Sequence, residues 1–88
     1  MFTAIITRNF RDVNTSSPKV LLLKVQSDSE LFRDHCWVTI SDALREFVPR
    51  KNHIKTKICF DAKVKEYQTL GPVKQTLISL KNIIRLSK

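Results

Sequence analysis

The chain has 88 residues and a net charge of +8, and 42% of its residues are hydrophobic. A chain of this length is expected to form one domain, over residues 1–88, with a modest core and little volume for an enclosed active site. It has no apolar run near the roughly 18 residues that span a bilayer. Its first residues show no basic leader before a long apolar stretch, so we expect neither a membrane segment nor a signal peptide.

The charge is unevenly distributed along the chain. Residues 1–48 contain six basic and six acidic side chains, whereas residues 49–88 contain ten basic and two acidic ones. The whole excess therefore comes from the second segment, and a field of that sign attracts polyanions. A lysine-rich surface that only keeps the protein in solution is the alternative explanation.

Three strands are predicted in the first half of the chain, over residues 2–10, 20–25 and 35–40, because these segments are rich in β-branched, aromatic and aliphatic side chains. Turn-forming residues separate them at 11–19 and 27–30. A short helix follows.

The helix is predicted from its capping signal and its apolar spacing. Ser41 is suited to the N-cap, Asp42 would lie in the first turn, and Val48 before Pro49 should end the helix. The apolar stripe would consist of Ala43, Leu44 and Phe47.

From Ile54 onwards apolar and polar side chains alternate over more than ten residues. Strict period two is typical of a half-buried strand, with one face in the core and the other in solvent. The core face would carry Ile54, Thr56, Ile58, Phe60, Ala62 and Val64. The solvent face would carry Lys55, Lys57, Cys59, Asp61, Lys63, Lys65 and Tyr67.

The last segment, 75–86, follows a turn over 68–72 and fits two patterns. Thr76, Ile78 and Leu80 alternate as in a strand, whereas the spacing of Leu77, Leu80 and Ile84 also suits a helix. We predict a strand with a bulge at Ile83–Ile84.

Three strands, a short helix and two strands form the order of an OB-fold, a five-stranded Greek-key barrel. The chain has one glycine, Gly71, and none in the first strand, where such barrels often use one to coil the strand. The predicted fold is therefore mostly β, either an OB-like barrel or a more open curled sheet, with the helix between strands three and four.

Two short motifs carry a resemblance to a known family. Residues 34–38 read Asp-His-Cys-Trp-Val, and residues 58–67 read Ile-Cys-Phe-Asp-Ala-Lys-Val-Lys-Glu-Tyr. This resembles a family of small uncharacterised OB-like proteins of phages and mobile elements, whose pattern is D-H-x-W followed by F-x-A-x-V-x-x-Y. The resemblance covers residues 20–86 and implies an OB-like fold and a phage origin, without a settled activity. The family usually has a glycine turn before the long strand, and residues 49–53 of this chain contain none.

The candidate site is the basic face of the fourth strand. Alternate side chains on a strand are spaced about 6–7 Å apart, close to the phosphate repeat of an extended single strand, and OB-folds combine such basic grooves with aromatic stacking platforms. On the third strand Trp37 and His35 share the face opposite Cys36 and Val38. The predicted nucleic-acid-binding residues are Lys55, Lys57, Lys63, Lys65, Tyr67, Lys81, Arg85, Trp37 and His35. The alternatives are a Trp37 buried in the core and lysines that merely protect a sheet edge from aggregation.

The sequence offers no pattern for catalysis or metal binding. Adjacent His35 and Cys36 would point to opposite faces of a strand, and neither His53 nor Cys59 completes a metal-ligand spacing. Free thiols in apolar runs behave as small hydrophobes and indicate a reducing, cytoplasmic location. We therefore predict a non-enzymatic protein without cofactor or metal that binds single-stranded DNA or RNA with weak sequence preference. The alternative is a phage-type module that binds an acidic host protein and inhibits a host enzyme or defence complex.

Overall fold

A computed structural model describes residues 1–28, 30–51, 54–68 and 70–86. This part of the chain contains five strands and one helical turn, in the predicted order. The elements are β1 (Phe2–Arg11), β2 (Lys19–Ser27), β3 (Glu30–Thr39), α1 (Asp42–Arg45), β4 (Thr56–Tyr67) and β5 (Lys74–Leu86). The predicted turns at 27–30 and 68–72 are described only in part, because Ser29 and Thr69 lie outside these ranges, and Asn52 and His53, before β4, also lie outside them.

All five strands form one antiparallel sheet in the order β3-β2-β1-β4-β5. The sheet curls until its two edge strands approach each other, and the Thr76 hydroxyl lies 3.4 Å from the Trp37 carbonyl oxygen and 3.6 Å from Cys36 Sγ. Side chains bridge the edges at this point, but the ladder between β3 and β5 does not form within the described chain. The curled sheet is therefore confirmed over the closed barrel, and its strand order is compatible with an OB-like fold.

The core lies inside the curl. Phe60 is fully buried, and the ring of Phe2 stacks on it with centroids 5.8 Å apart and meets Phe32 edge-on at 5.7 Å. Leu44 reaches this core from α1 and is also fully buried. The helical turn thus covers one end of the curled sheet, as the strand–helix order predicts.

The cap of α1 is the one predicted from the sequence. Ser41 Oγ accepts a hydrogen bond from the Leu44 amide at 3.2 Å, and the chain continues through further turns up to Val48. Ala43, predicted in the apolar stripe, is exposed, and only Leu44 and Phe47 of that stripe pack on the core. No helix in the described ranges is long and apolar enough to cross a membrane.

The core face predicted for β4 is correct for Ile58 and Phe60, correct in part for Ala62, which is half-buried against the core, and wrong for Val64. Ile58 and Phe60 are buried, whereas Val64 is 45% exposed. The reason is that β1 pairs with β4 only over Thr56–Phe60. Beyond that point β4 pairs with β5 alone, so the two strands form an arm whose inner face has less to pack against. Ile54 lies before the strand and is exposed.

Cys59 also differs from its predicted environment. It was expected in solvent beside the lysines, but it is buried, because the side chain of Met1 lies over it with Sδ next to the thiol. Cys36 is buried as well, and both thiols are free.

Bulges in β5 give this strand a period of three. Ser79 and Asn82 have positive φ angles of 57° and 54°, and the register against β4 shifts by one residue at each. Each extra residue turns the following side chain back to the core. The residues that face inward are therefore Leu77, Leu80, Ile83 and Leu86.

This period corrects two details of the prediction for β5. Ile78, expected to alternate inward with Thr76 and Leu80, is exposed. A bulge was expected at Ile83–Ile84. The observed register shift lies between the cross-strand pairs Cys59–Ile84 and Asp61–Lys81, and the residue with positive φ there is Asn82. The side-chain amide of Asn82 donates a hydrogen bond to an Asp61 carboxylate oxygen at 3.0 Å.

The first strand coils without a glycine because the side chain of a buried threonine takes the place of backbone hydrogen bonds that the ladder lacks at this point. The register between β1 and β2 shifts between Ile6 and Phe10. At this irregularity Thr7 Oγ1 donates to the Leu21 carbonyl oxygen at 2.9 Å and accepts from the Asn9 amide at 3.1 Å. Backbone groups that the shift would leave unpaired thus find a partner.

The core assignment predicts unequal effects for two truncations on β4. Phe60→Ala should lower the free energy of unfolding by about 3–5 kcal/mol, because it leaves a cavity in a closed core. Val64→Ala, four residues away on the same face, should cost less than about 1 kcal/mol, because the side chain is already partly in water. Urea unfolding measures both, and equal losses would contradict the exposed arm.

The bulges predict a position-specific cost for β-branched residues in β5. Ser79→Val should destabilise the protein by about 1–2 kcal/mol, because the left-handed conformation brings Cβ too close to the backbone. Lys81→Val, at an exposed residue of ordinary φ on the same strand, should stay within about 0.5 kcal/mol of the parent. Thermal and urea unfolding test the pair, and a neutral Ser79→Val would show that the bulge is absent.

Candidate nucleic-acid interface

A groove of about 610 Å³ runs between the outer face of β3 and the arm formed by β4 and β5. It forms where the curl brings the two edges together. We call it the Trp37 groove. Its lining residues are Arg11, Lys19, Arg33, His35, Cys36, Trp37, Thr39, Lys65, Tyr67, Lys74, Gln75, Thr76 and Ile78.

Five cations line the Trp37 groove, and none of the described residues that line it is acidic. Each of them comes from a different one of the five strands. The set is Arg11, Lys19, Arg33, Lys65 and Lys74. The nearest compensating charge on Arg11 is Asp12, whose carboxylate lies 3.8 Å from the guanidinium and is half exposed, and such surface pairs contribute little.

Trp37 forms a wall of this groove. Its neighbours Cys36 and Val38 are buried in the core, whereas Trp37 itself is half-buried on the opposite face of β3, as the sequence predicts. The guanidinium of Arg11 lies 4.9 Å from the ring centroid, within the range of a cation–π interaction. The alternative of a core tryptophan is therefore wrong.

The opposite wall is built by cross-strand pairs of the arm. Tyr67 lies beside Lys74, and Lys65 beside Thr76. The alternation predicted for β4 places Lys65 and Tyr67 on one face, and Tyr67 is 43% exposed. The groove is thus lined by one aromatic ring from β3 and one from β4, together with the five cations.

The predicted row of lysines does not form one site. Lys55, Lys57 and Arg85 line a second pocket of about 450 Å³ at the beginning of β4. Lys63 and Lys81 are exposed and line neither of these two pockets. The row breaks because the alternate positions between Lys57 and Lys63 are the buried Cys59 and the acidic Asp61.

The structure therefore brings together four of the predicted site residues: His35, Trp37, Lys65 and Tyr67. It adds four cations that sequence reasoning missed: Arg11, Lys19, Arg33 and Lys74. A signal for some of them was present. Arg33 lies two residues before His35 and four before Trp37, so the period of a strand places it on the same face. Arg11 and Lys19 flank the turn between β1 and β2, and they pair across these two strands. The even charge balance of residues 1–48 concealed their contribution.

The described ranges contain no group of three or more histidine, cysteine or acidic side chains arranged to hold a metal ion. His53, one of the side chains weighed as a metal ligand from the sequence, lies outside those ranges. The absence of a metal or cofactor stays a prediction.

Comparison of the chain with protein-family models, with curated proteins and with solved structures gives no match. The resemblance to a phage family likewise stays a prediction.

Proposed function

We propose that the protein is a non-enzymatic binding protein that holds single-stranded nucleic acid in the Trp37 groove, with weak sequence preference. One observation carries the proposal: a single groove combines five cations with the rings of Trp37 and Tyr67, and its described lining contains no carboxylate. The cations suit phosphates, and the rings suit bases.

The two kinds of contact have different roles. Lysine and arginine side chains neutralise phosphates, which supplies affinity without sequence information. An aromatic ring accepts any base, since every base has a π-face, and each stacked base contributes about 1–3 kcal/mol. Gln75, an amide that could read a base edge, already donates to Glu66 at 3.2 Å. Weak sequence preference follows from these contacts.

A single strand fits this groove better than a duplex does. In a duplex the bases are stacked on one another, so the rings of Trp37 and Tyr67 could not reach them. In a single strand the bases are free to turn toward the walls of the groove while the phosphates follow the cations. Arg11, held over the Trp37 ring, would add positive charge beside a stacked base.

A cytoplasmic location fits this proposal, since nucleic acid is available there and the two buried free thiols suit a reducing compartment. The phage origin implied by the sequence resemblance would place the protein in an infected or lysogenic cell. Both are part of the proposal.

Salt dependence tests the phosphate contacts. If all five groove cations neutralise phosphates, log K against log [salt] for a 20-mer oligonucleotide should have a slope of roughly −3.5, at 0.7 per phosphate. Lys65→Glu or Lys74→Glu should flatten the slope by at least about 0.7 and weaken binding equally for all sequences. Fluorescence anisotropy of labelled DNA and RNA strands measures this.

Lys57→Glu is the matched control, because it changes the net charge equally on the same strand but outside the groove. It should leave the slope within about 0.3 of the parent value. If the parent protein binds neither DNA nor RNA 20-mers at low salt, or if Lys57→Glu has the full effect of Lys65→Glu, the proposed site is refuted.

Stacking requires a separate test at Trp37. Trp37→Ala should weaken binding of the labelled strand by about 1–3 kcal/mol with an unchanged salt slope, because stacking releases no counterions. Trp37→Phe retains an aromatic face and should recover most of the affinity. A Trp37→Ala variant that binds like the parent would remove the aromatic wall from the mechanism.

A further inference from the structure

The second pocket lies where β4 begins and has a different chemistry from the groove. We call it the Lys57 pocket. Its floor is aliphatic and is formed by Ile5, Ile54 and Leu86. Cross-strand pairing holds this floor together, because Ile5 and Leu86 are both direct neighbours of Lys57. Three cations rim it: Lys55, Lys57 and Arg85.

The pocket is separate from the Trp37 groove. Lys57 and Lys65 lie about 26 Å apart along β4, at about 3.3 Å per residue. Between them Cys59 is covered by Met1, and the carboxylate of Asp61 accepts from Asn82. A nucleic-acid strand whose phosphates followed β4 from one end to the other would therefore pass a carboxylate.

The composition of the pocket selects its ligand. None of its described lining side chains is aromatic or acidic, so it offers no platform on which a base could stack. An aliphatic floor takes an apolar side chain, and the three cations around it take carboxylates. A second copy of this chain offering the same face would place like charges opposite one another, which costs binding free energy.

Arg85 is also held in position. Its guanidinium lies 5.8 Å from the ring centroid of Phe47, just beyond α1, within the range of a cation–π contact. A guanidinium that is already oriented loses less conformational freedom when it binds a carboxylate, and its planar geometry matches that group.

From this geometry we propose that the Lys57 pocket binds an acidic, amphipathic peptide segment of a partner protein. An apolar side chain of the segment packs on Ile5 and Leu86, and flanking carboxylates contact the three cations. The site is independent of the proposed nucleic-acid site, and both can be filled on one molecule.

A labelled ten-residue peptide of alternating glutamate and leucine is the probe. It should bind saturably at low salt. Two control peptides, with serine in place of leucine or glutamine in place of glutamate, should bind at least about tenfold more weakly, since each lacks one half of the recognition. A serine peptide that binds as tightly as the leucine peptide would show attraction to charge alone and overturn the proposal.

Charge reversals locate the peptide. Lys57→Glu and Arg85→Glu should each weaken its binding at least about fivefold, because reversal removes an attraction and adds a repulsion. Lys57→Gln should give a smaller loss in the same direction. Lys65→Glu is the control with equal net charge and should change peptide affinity less than twofold. Equal losses for Lys57→Glu and Lys65→Glu would refute the pocket.

Measurement on the parent protein avoids any dependence on how the variants fold. In amide NMR spectra the peptide should shift the resonances of Ile5, Lys57 and Leu86 and leave those of Trp37 and Tyr67 unchanged. The same shifts should appear when the peptide is added to protein whose groove is already saturated with an oligonucleotide. Shifts confined to the groove, or displacement of the peptide by the oligonucleotide, would refute a separate peptide site. Because the two sets of assays measure different ligands and exchange the roles of Lys57→Glu and Lys65→Glu as test and control, failure of either proposal leaves the other standing.

Discussion

The bending of the sheet is the constraint on which the rest of this structure depends. One small sheet can bury a core only by curling around it, and strands curl where an extra residue enters the ladder. Here the extra residues have positive φ at Lys24, Ser79 and Asn82, although none of them is a glycine. Non-glycine residues in this conformation cost free energy, and the closed core around Phe60 and Leu44 offsets that cost. The Thr7 hydroxyl completes the bend by pairing backbone groups that the ladder does not reach.

Curling also creates the candidate site. The outer face of β3 would lie far from the β4–β5 arm in a flat sheet of this strand order, since three strands separate β3 from β5. In the curled sheet the edges meet at Thr76 and Trp37, and cations from both halves of the chain converge on one groove. The local concentration of positive charge therefore results from strand order and bending. The positive charge gathered in the Trp37 groove is greater than the distribution of charge along the sequence would indicate.

The two ends of β4 offer different surfaces for anions. At one end aromatic rings accompany the cations, and at the other aliphatic side chains do. The separation along the strand of about 26 Å is larger than the Debye length of about 8 Å at physiological salt. Two anionic ligands bound at these sites would therefore be screened from each other, as the two proposals together require.

Local patterns in the sequence determined the number and order of the strands, the Ser41 cap and the burial of Ile58 and Phe60, because the side-chain period and the capping of a helix depend only on neighbouring residues. The exposure of Val64 was decided by tertiary structure, since it depends on where β1 stops pairing with β4. The same holds for the inward face of β5, because each bulge shifts the period and arises from pairing with another strand. The convergence of Arg11, Lys19 and Arg33 with Lys65 and Lys74 was likewise beyond local reasoning, because these residues are distant in sequence and meet only when the sheet curls.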